Sequence, residues 1–138
     1  MERFLVDVML MRLGRWLRLL GMDVANPPGP DDRDLLELAR LEERTLITRD
    51  RQLAEMCASA GVPCLLVQSS LLEEQLRELA GSGVAMELNP ERCTLCNGPL
   101  HPVSEKLWRC KSCEKLYWKG SHWTRMEETL QRIRRSES

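Results

Sequence analysis

Three features of the sequence predict an α/β fold, a parallel sheet flanked by helices, followed by a small four-cysteine ribbon and a C-terminal helix. Short apolar segments of strand type alternate with amphipathic helical segments through residue 84. Four of the six cysteines then gather into two close pairs, Cys93/Cys96 and Cys110/Cys113. Charge divides at about the same place. Residues 1–90 hold ten arginines, no lysine and fifteen acids, whereas residues 91–138 hold ten Lys or Arg against six Glu. Alternating strands and helices imply parallel pairing, because parallel neighbours need a crossover connection. The expected units are 1–84 for the α/β part and 85–138 for the ribbon with its helix.

Residues 3–9, RFLVDVM, read as the first strand, because Phe4, Val6 and Val8 alternate with Leu5, Asp7 and Met9. From Leu10 the period changes: Leu10, Leu13, Leu17 and Leu20 form a helical stripe that Gly21 is placed to end. A short strand near residues 23–25 precedes the loop NPPGP. The next helix opens at Asp31, Asp32 or Asp34, each a suitable N-cap. A strand at 45–48 leads into a helix closed by Gly61, and the apolar run PCLLV reads as a strand buried on both faces. Ser70 with Glu73 forms a capping box for the following helix, and GSGVAMELNPER reads as a linker. Thr124 with Glu127 is a second capping box, opening a basic C-terminal helix whose last residues, RRSES, are expected to fray.

Composition excludes several classes. A hydrophobic fraction of 43% suits a folded soluble chain. No apolar run approaches the roughly 18–20 residues of a membrane span. Asp7, Arg12 and Arg15 interrupt the N-terminal apolar stretch, so neither a signal peptide nor membrane association is expected, and the cytoplasm is the expected location. No Walker loop and no GxGxxG follows the first strand. A phospho-acceptor receiver fits poorly, since the first unit lacks the lysine such domains carry at a later strand end.

In a parallel sheet, residues just past each strand gather at the carboxyl edge, where ligands bind in open α/β folds. Asp7 ends the first strand, Asp31 and Asp32 follow the second, and Asp50 follows the third. Clustered carboxylates repel unless neutralised, and Mg²⁺ or Mn²⁺ is the natural counter-ion. Such ions activate water and stabilise the charge that develops in phosphodiester cleavage. Asp7 is the strongest candidate, because Asp is disfavoured between FLV and VML unless it has a task. For Asp50 the competing role is an N-cap, and among Asp31, Asp32 and Asp34 one ligand is expected. Arg12, Arg15 and Arg18 repeat every three residues beside the leucine stripe, as phosphate contacts or as a solvated face pairing with nearby acids.

The two CxxC pairs, thirteen residues apart, form a zinc pattern: Cys93, Cys96, Cys110 and Cys113 complete a closed, structural tetrahedron. Cys57 and Cys64 read as small buried residues, and His101 and His122 are left without a metal role. Trp108, Tyr117, Trp118 and Trp123 interleave with basic residues, a pattern that grips single-stranded nucleic acid and equally builds a small ribbon core.

The segments FLVDVMLMRLGRWLRLLGMDV, DDRDLLELAR, TLITRDRQLA, CTLCNGPL and WRCKSCEKLYWKGSHWTRM resemble the mutator-seven C-terminal (Mut7-C) RNase domain family over nearly the whole chain. The resemblance implies a PIN-like α/β fold with a zinc ribbon and ribonuclease activity. It implies that Asp7, Asp32 with its neighbour Asp31, and Asp50 are the catalytic acids, holding Mg²⁺ or Mn²⁺, and that Cys93, Cys96, Cys110 and Cys113 hold zinc. PIN nucleases commonly use a fourth acid, for which Asp34, Glu37 and Glu55 are the available positions. The stretch between the knuckles is shorter than the family pattern. Substrate contacts are expected from Arg12, Arg15, Arg18, Trp118 and His122, with single-stranded RNA as partner. The competing reading is a catalytically silent module that binds RNA or a protein through its ribbon; a homodimer, as PIN-like domains often form, is an open alternative.

Overall fold

A computed structural model describes residues 3–137 and, within them, two sheets. The first is built from β1 (Arg3–Val6), β2 (Asp23–Ala25), β3 (Thr45–Thr48) and β4 (Cys64–Leu66), in the order β2-β1-β3-β4 with all pairs parallel. Helices α1 (Met11–Leu19), α2 (Asp32–Leu41), α3 (Arg51–Ala60) and α4 (Leu72–Gly81) follow the four strands in turn. The second sheet is antiparallel, β5 (Leu100–Ser104), β6 (Leu107–Cys110) and β7 (Leu116–Trp118), and α5 (Ser121–Glu137) ends the described chain. No helix among the described residues is long and apolar enough to cross a membrane.

The alternation in β1 divides two cores. Phe4 and Val6 pack with Leu13, Leu17 and Leu76 under α1 and α4, whereas Leu5 packs with Leu35, Leu46 and Leu53 under α2 and α3. Gly14 lets α1 lie close to the sheet, since a Cβ there would come within 3.0 Å of a Val6 methyl. The chain thus crosses on one face between β1 and β2, and on the other face between β2 and β4. The point where the direction reverses lies between β1 and β3.

Several local expectations are corrected. The first strand stops at Val6, because Asp7 accepts a hydrogen bond from the Met9 amide at 2.9 Å and opens a 3₁₀ turn over Val8–Leu10. Strand β4 lies at the sheet edge and is only half-buried; an apolar run by itself does not distinguish an edge from a centre. The Ser70/Glu73 box does not form. Helix α4 starts after Leu71, Glu78 takes the Gln68 and Ser69 amides at 2.8 and 3.1 Å, and Glu73 pairs with Arg77 and Arg132. Thr124 lies inside α5, which begins at Ser121, and α5 continues to Glu137 through the RRSE expected to fray. Residues 82–92 are tied down: Met86 is buried, and the Asn89 amide donates to the Leu19 carbonyl at 2.8 Å. Leu130 and Ile133 of α5 are fully buried in the same core as Phe4 and Leu17.

Candidate functional site

The reversal point between β1 and β3 is where an open α/β sheet leaves a crevice at its carboxyl edge. Asp7 sits there, 7% exposed, with its backbone amide on the Ile47 carbonyl at 3.3 Å. One carboxylate oxygen takes the Met9 amide, and the other takes the Thr48 hydroxyl at 2.5 Å. Thr48, fully buried, also accepts from the Asp50 amide at 3.0 Å, so one hydroxyl aligns the acids that follow β1 and β3. In the Thr-x-Asp segment that ends β3 the sequence assigns a role to Asp50 alone; Thr48 is marked only as a hydroxyl two residues before an acid at a strand end. Asp50 caps α3 by accepting from the Gln52 and Leu53 amides, and Asp31 caps α2 by accepting from the Arg33 amide at 2.9 Å.

Asp32, in the first turn of α2, faces this edge. Its carboxyl is pushed up, by burial first and then by the charges of Asp50, Asp31 and Asp7. Acids from three separate strand ends therefore act on one another. Among the described residues, no three of these acids form a group placed to hold a metal ion by themselves. Asp34, Glu37 and Glu55 are exposed, and Glu37 lies 4.0 Å from Arg40.

The four thiols of Cys93, Cys96, Cys110 and Cys113 do lie within 4.8 Å of one another. The Cys93–Cys113 and Cys96–Cys110 sulfur separations are 3.6 Å, against about 3.8 Å between sulfurs around tetrahedral zinc. Each knuckle closes through a residue with positive φ, Asn97 at 65° and Glu114 at 65°, which turns backbone amides toward sulfur at 3.4 Å. Gly98 is required between them, because a Cβ would lie 2.7 Å from the Ser112 hydroxyl. Burial pushes the Cys93 thiol up, but hydrogen bonds from Tyr117 at 2.9 Å and from backbone amides outweigh it and bring the thiol to about 6. The donor set fits one tetrahedral thiophilic ion.

The first knuckle is docked on the α/β unit. Asn97 accepts from the Val24 amide at 3.0 Å and donates to Asp23 at 2.6 Å, covering part of the exposed side of β2. Arg18 completes the joint. It is 2% exposed and donates to the carbonyls of Val24 and Thr94 and to Asn26. The expectation of a phosphate contact from Arg18 is thus corrected to a structural tie. A spacing of three residues turns 300° around a helix, so the third arginine lies well off the face of the first.

Arg12 and Arg15 remain exposed and line a groove of about 550 Å³ between α1, the ribbon and the start of α5. Trp118 and His122 line the same groove. Trp108 and Trp123 stack within it at 5.4 Å and 13°. Cys57 is buried in the core under α3, and Cys64 is half-buried with its thiol pushed by burial up to about 12, so neither supplies a ready nucleophile.

A carboxylate edge, a four-thiol ribbon and their joint are what the family comparison brings together: the family model of the Mut7-C RNAse domain matches residues 2–107 and 103–130. The chain belongs to the Mut7-C RNase domain family. Membership implies ribonuclease activity. The two matched segments overlap at residues 103–107, between the cysteine pairs, and together they take in the acidic edge, both knuckles and most of α5. No curated protein and no solved structure was found to match the chain.

Proposed function

We propose that this Mut7-C domain is a divalent-metal-dependent ribonuclease that hydrolyses phosphodiester bonds of single-stranded RNA at the carboxyl edge of its parallel sheet. The observation that carries the reading is the convergence of Asp7, Asp31, Asp32 and Asp50 from three strand ends on one sheet edge, where burial first and then the charges of the other three acids raise the Asp32 carboxyl. Asp7, Asp32 and Asp50 would hold Mg²⁺ or Mn²⁺, with Asp31 beside them. When bound, such an ion supplies an activated water and offsets negative charge developing on the phosphate. Thr48 fixes the Asp7 carboxylate and the turn into Asp50. Buried Asp7 cannot swing away from the edge, which keeps its oxygens oriented without an entropy cost at each turnover. The ribbon, holding zinc through its four thiolates, would support the strand beyond the cleavage point.

The test is cleavage of end-labelled single-stranded RNA with Mg²⁺, with Mn²⁺ or with neither. Cutting is expected only with a divalent ion and is expected to vanish in the Asp7→Asn protein, with the fold retained. Unchanged turnover in that variant would sink the assignment.

One observation favours a second reading. Asp50 and Asp31 each already cap a helix, a role that needs no metal. A silent binding module would retain RNA affinity in the Asp7→Asn protein and show no cleavage with any divalent ion.

A further inference from the structure

The groove between α1 and the ribbon lies outside the acidic edge, and its chemistry is different. Among the described residues its walls supply Arg12, Arg15 and Lys115 and no carboxylate. Arg12 and Arg15 form no ion pair or hydrogen bond among the described residues, so their charge is available to a ligand. Helix α1 starts four residues after Asp7, so its first turn, with Arg12, adjoins the acidic edge.

The aromatic rings of the groove are not equivalent. Trp108 and Trp123 stack on each other, and the Lys119 ammonium lies 5.5 Å from the Trp123 ring centre. Tyr117 has Lys115 at 4.8 Å over its ring, and its hydroxyl is engaged by Cys93 and Thr94. These three rings are committed to the fold. Trp118 is not: it is 71% exposed and has no ring or cation partner among the described residues. One side of its ring nonetheless meets the chain. A Cβ on Gly120 would lie 3.0 Å from Cζ2 and 3.2 Å from Cε2, so the indole rests directly on the glycine backbone. A large ring that is seated on one side and open on the other is a stacking platform already ordered before a ligand arrives.

We propose that Trp118, seated on Gly120, is a stacking subsite for one unpaired nucleobase of an RNA strand whose phosphates run along Arg12 and Arg15. The proposal takes its ligand class from the ribonuclease reading and adds the feature that selects unpaired RNA. In an RNA helix the base faces are buried in the stack and unavailable to the indole; in a single strand they are free. Cationic walls without acids match the phosphates, and the ring matches the base.

The experiment compares two end-labelled strands of equal length, oligouridine and its abasic ribose-phosphate counterpart. Both are titrated with the full chain, purified with zinc and without added Mg²⁺ or Mn²⁺. The parent is expected to bind oligouridine roughly five- to a hundredfold more tightly than the abasic strand, the range that stacking one base on one aromatic ring supports. Trp118→Ala is expected to bind both strands alike, and Trp118→Phe to keep most of the preference. Equal affinity of the parent for the two strands overturns the proposal, as does a Trp118→Ala protein with parental affinity for oligouridine. Loss of self-association in Trp118→Ala with RNA affinity intact overturns it in favour of a face for a second copy. Cleavage is not read, so an inactive acidic edge leaves this result standing, and a failed stacking subsite leaves the ribonuclease reading standing.

Discussion

Replacing Thr48 by Val keeps the side-chain shape and deletes one hydroxyl that serves both sides of the acidic edge. That hydroxyl donates to Asp7 at 2.5 Å and accepts from the Asp50 amide at 3.0 Å. Thr48 is fully buried and Asp7 is 7% exposed, so water does not readily replace the lost donor. A hydrogen bond to a charged group contributes about 1.5–3 kcal/mol, and a neutral one about 1 kcal/mol. The Asp50 amide lies nearer solvent and recovers part of its share, which gives a destabilisation of about 2–3 kcal/mol for Thr48→Val. For a chain of this size that corresponds to a melting-point drop of roughly 5–15 °C. Asp7 would also gain rotational freedom at the reacting edge, and cleavage should fall by about ten- to a hundredfold. Urea unfolding and metal-dependent RNA cleavage measure the two effects, and Thr48→Ser should restore both. A double-mutant cycle with Asp7→Asn isolates the pair. Parental stability and turnover in Thr48→Val, or no coupling in the cycle, would refute the claim that this hydroxyl organises the acids.

The three arginines of α1 should separate. Arg18→Met leaves the Val24 and Thr94 carbonyls and Asn26 without their donor, so unfolding should show a loss of about 3 kcal/mol, whereas Arg12→Met and Arg15→Met should stay within about 0.5 kcal/mol of the parent. Those two should instead weaken RNA binding and each lower the salt slope by about 1, as read in titrations at several salt concentrations. Stripping zinc with a strong chelator, or Cys93→Ser, should unfold the ribbon and also destabilise the α/β unit, because Thr94 and Asn97 tie the first knuckle to Arg18 and β2; amide exchange at Val24 reports this directly, and unchanged protection there would contradict it. Acid should act through Asp23. Burial pushes its carboxyl up, but hydrogen bonds from Arg44 and Asn97 and the charges of Arg44 and Arg92 outweigh this and hold it at about 2. The folded value lies below the unfolded one, so its contribution of about 2 kcal/mol is present above pH 4 and is lost as pH falls toward 2; Asp23→Asn should flatten that part of the stability–pH curve.

Much of the fold was legible from period and punctuation. Leu10, Leu13, Leu17 and Leu20 marked α1, and all four are buried. Asp50 and Gly61 bracket α3 as N-cap and left-handed C-cap, because capping depends on backbone groups a few residues away. The thiol cluster was equally readable, since each CxxC knuckle is a local structure and only the pairing of the two knuckles is long-range. What the sequence left undecided depends on which surfaces meet. A period of three could not tell Arg18, buried against a knuckle 76 residues away, from the exposed Arg12 and Arg15. Ser70 with Glu73 and Thr124 with Glu127 had the form of capping boxes, but Glu73 and Glu127 found arginines on α4 and α5 instead. The strand order β2-β1-β3-β4 decided that Asp7 and Asp50 would be neighbours at the reversal point, and only that proximity shows what Thr48 does. Local propensity and spacing act over a few residues; the pairing of strands, the covering of an edge and the sharing of one hydroxyl by two acids are set by contacts between segments far apart in the chain.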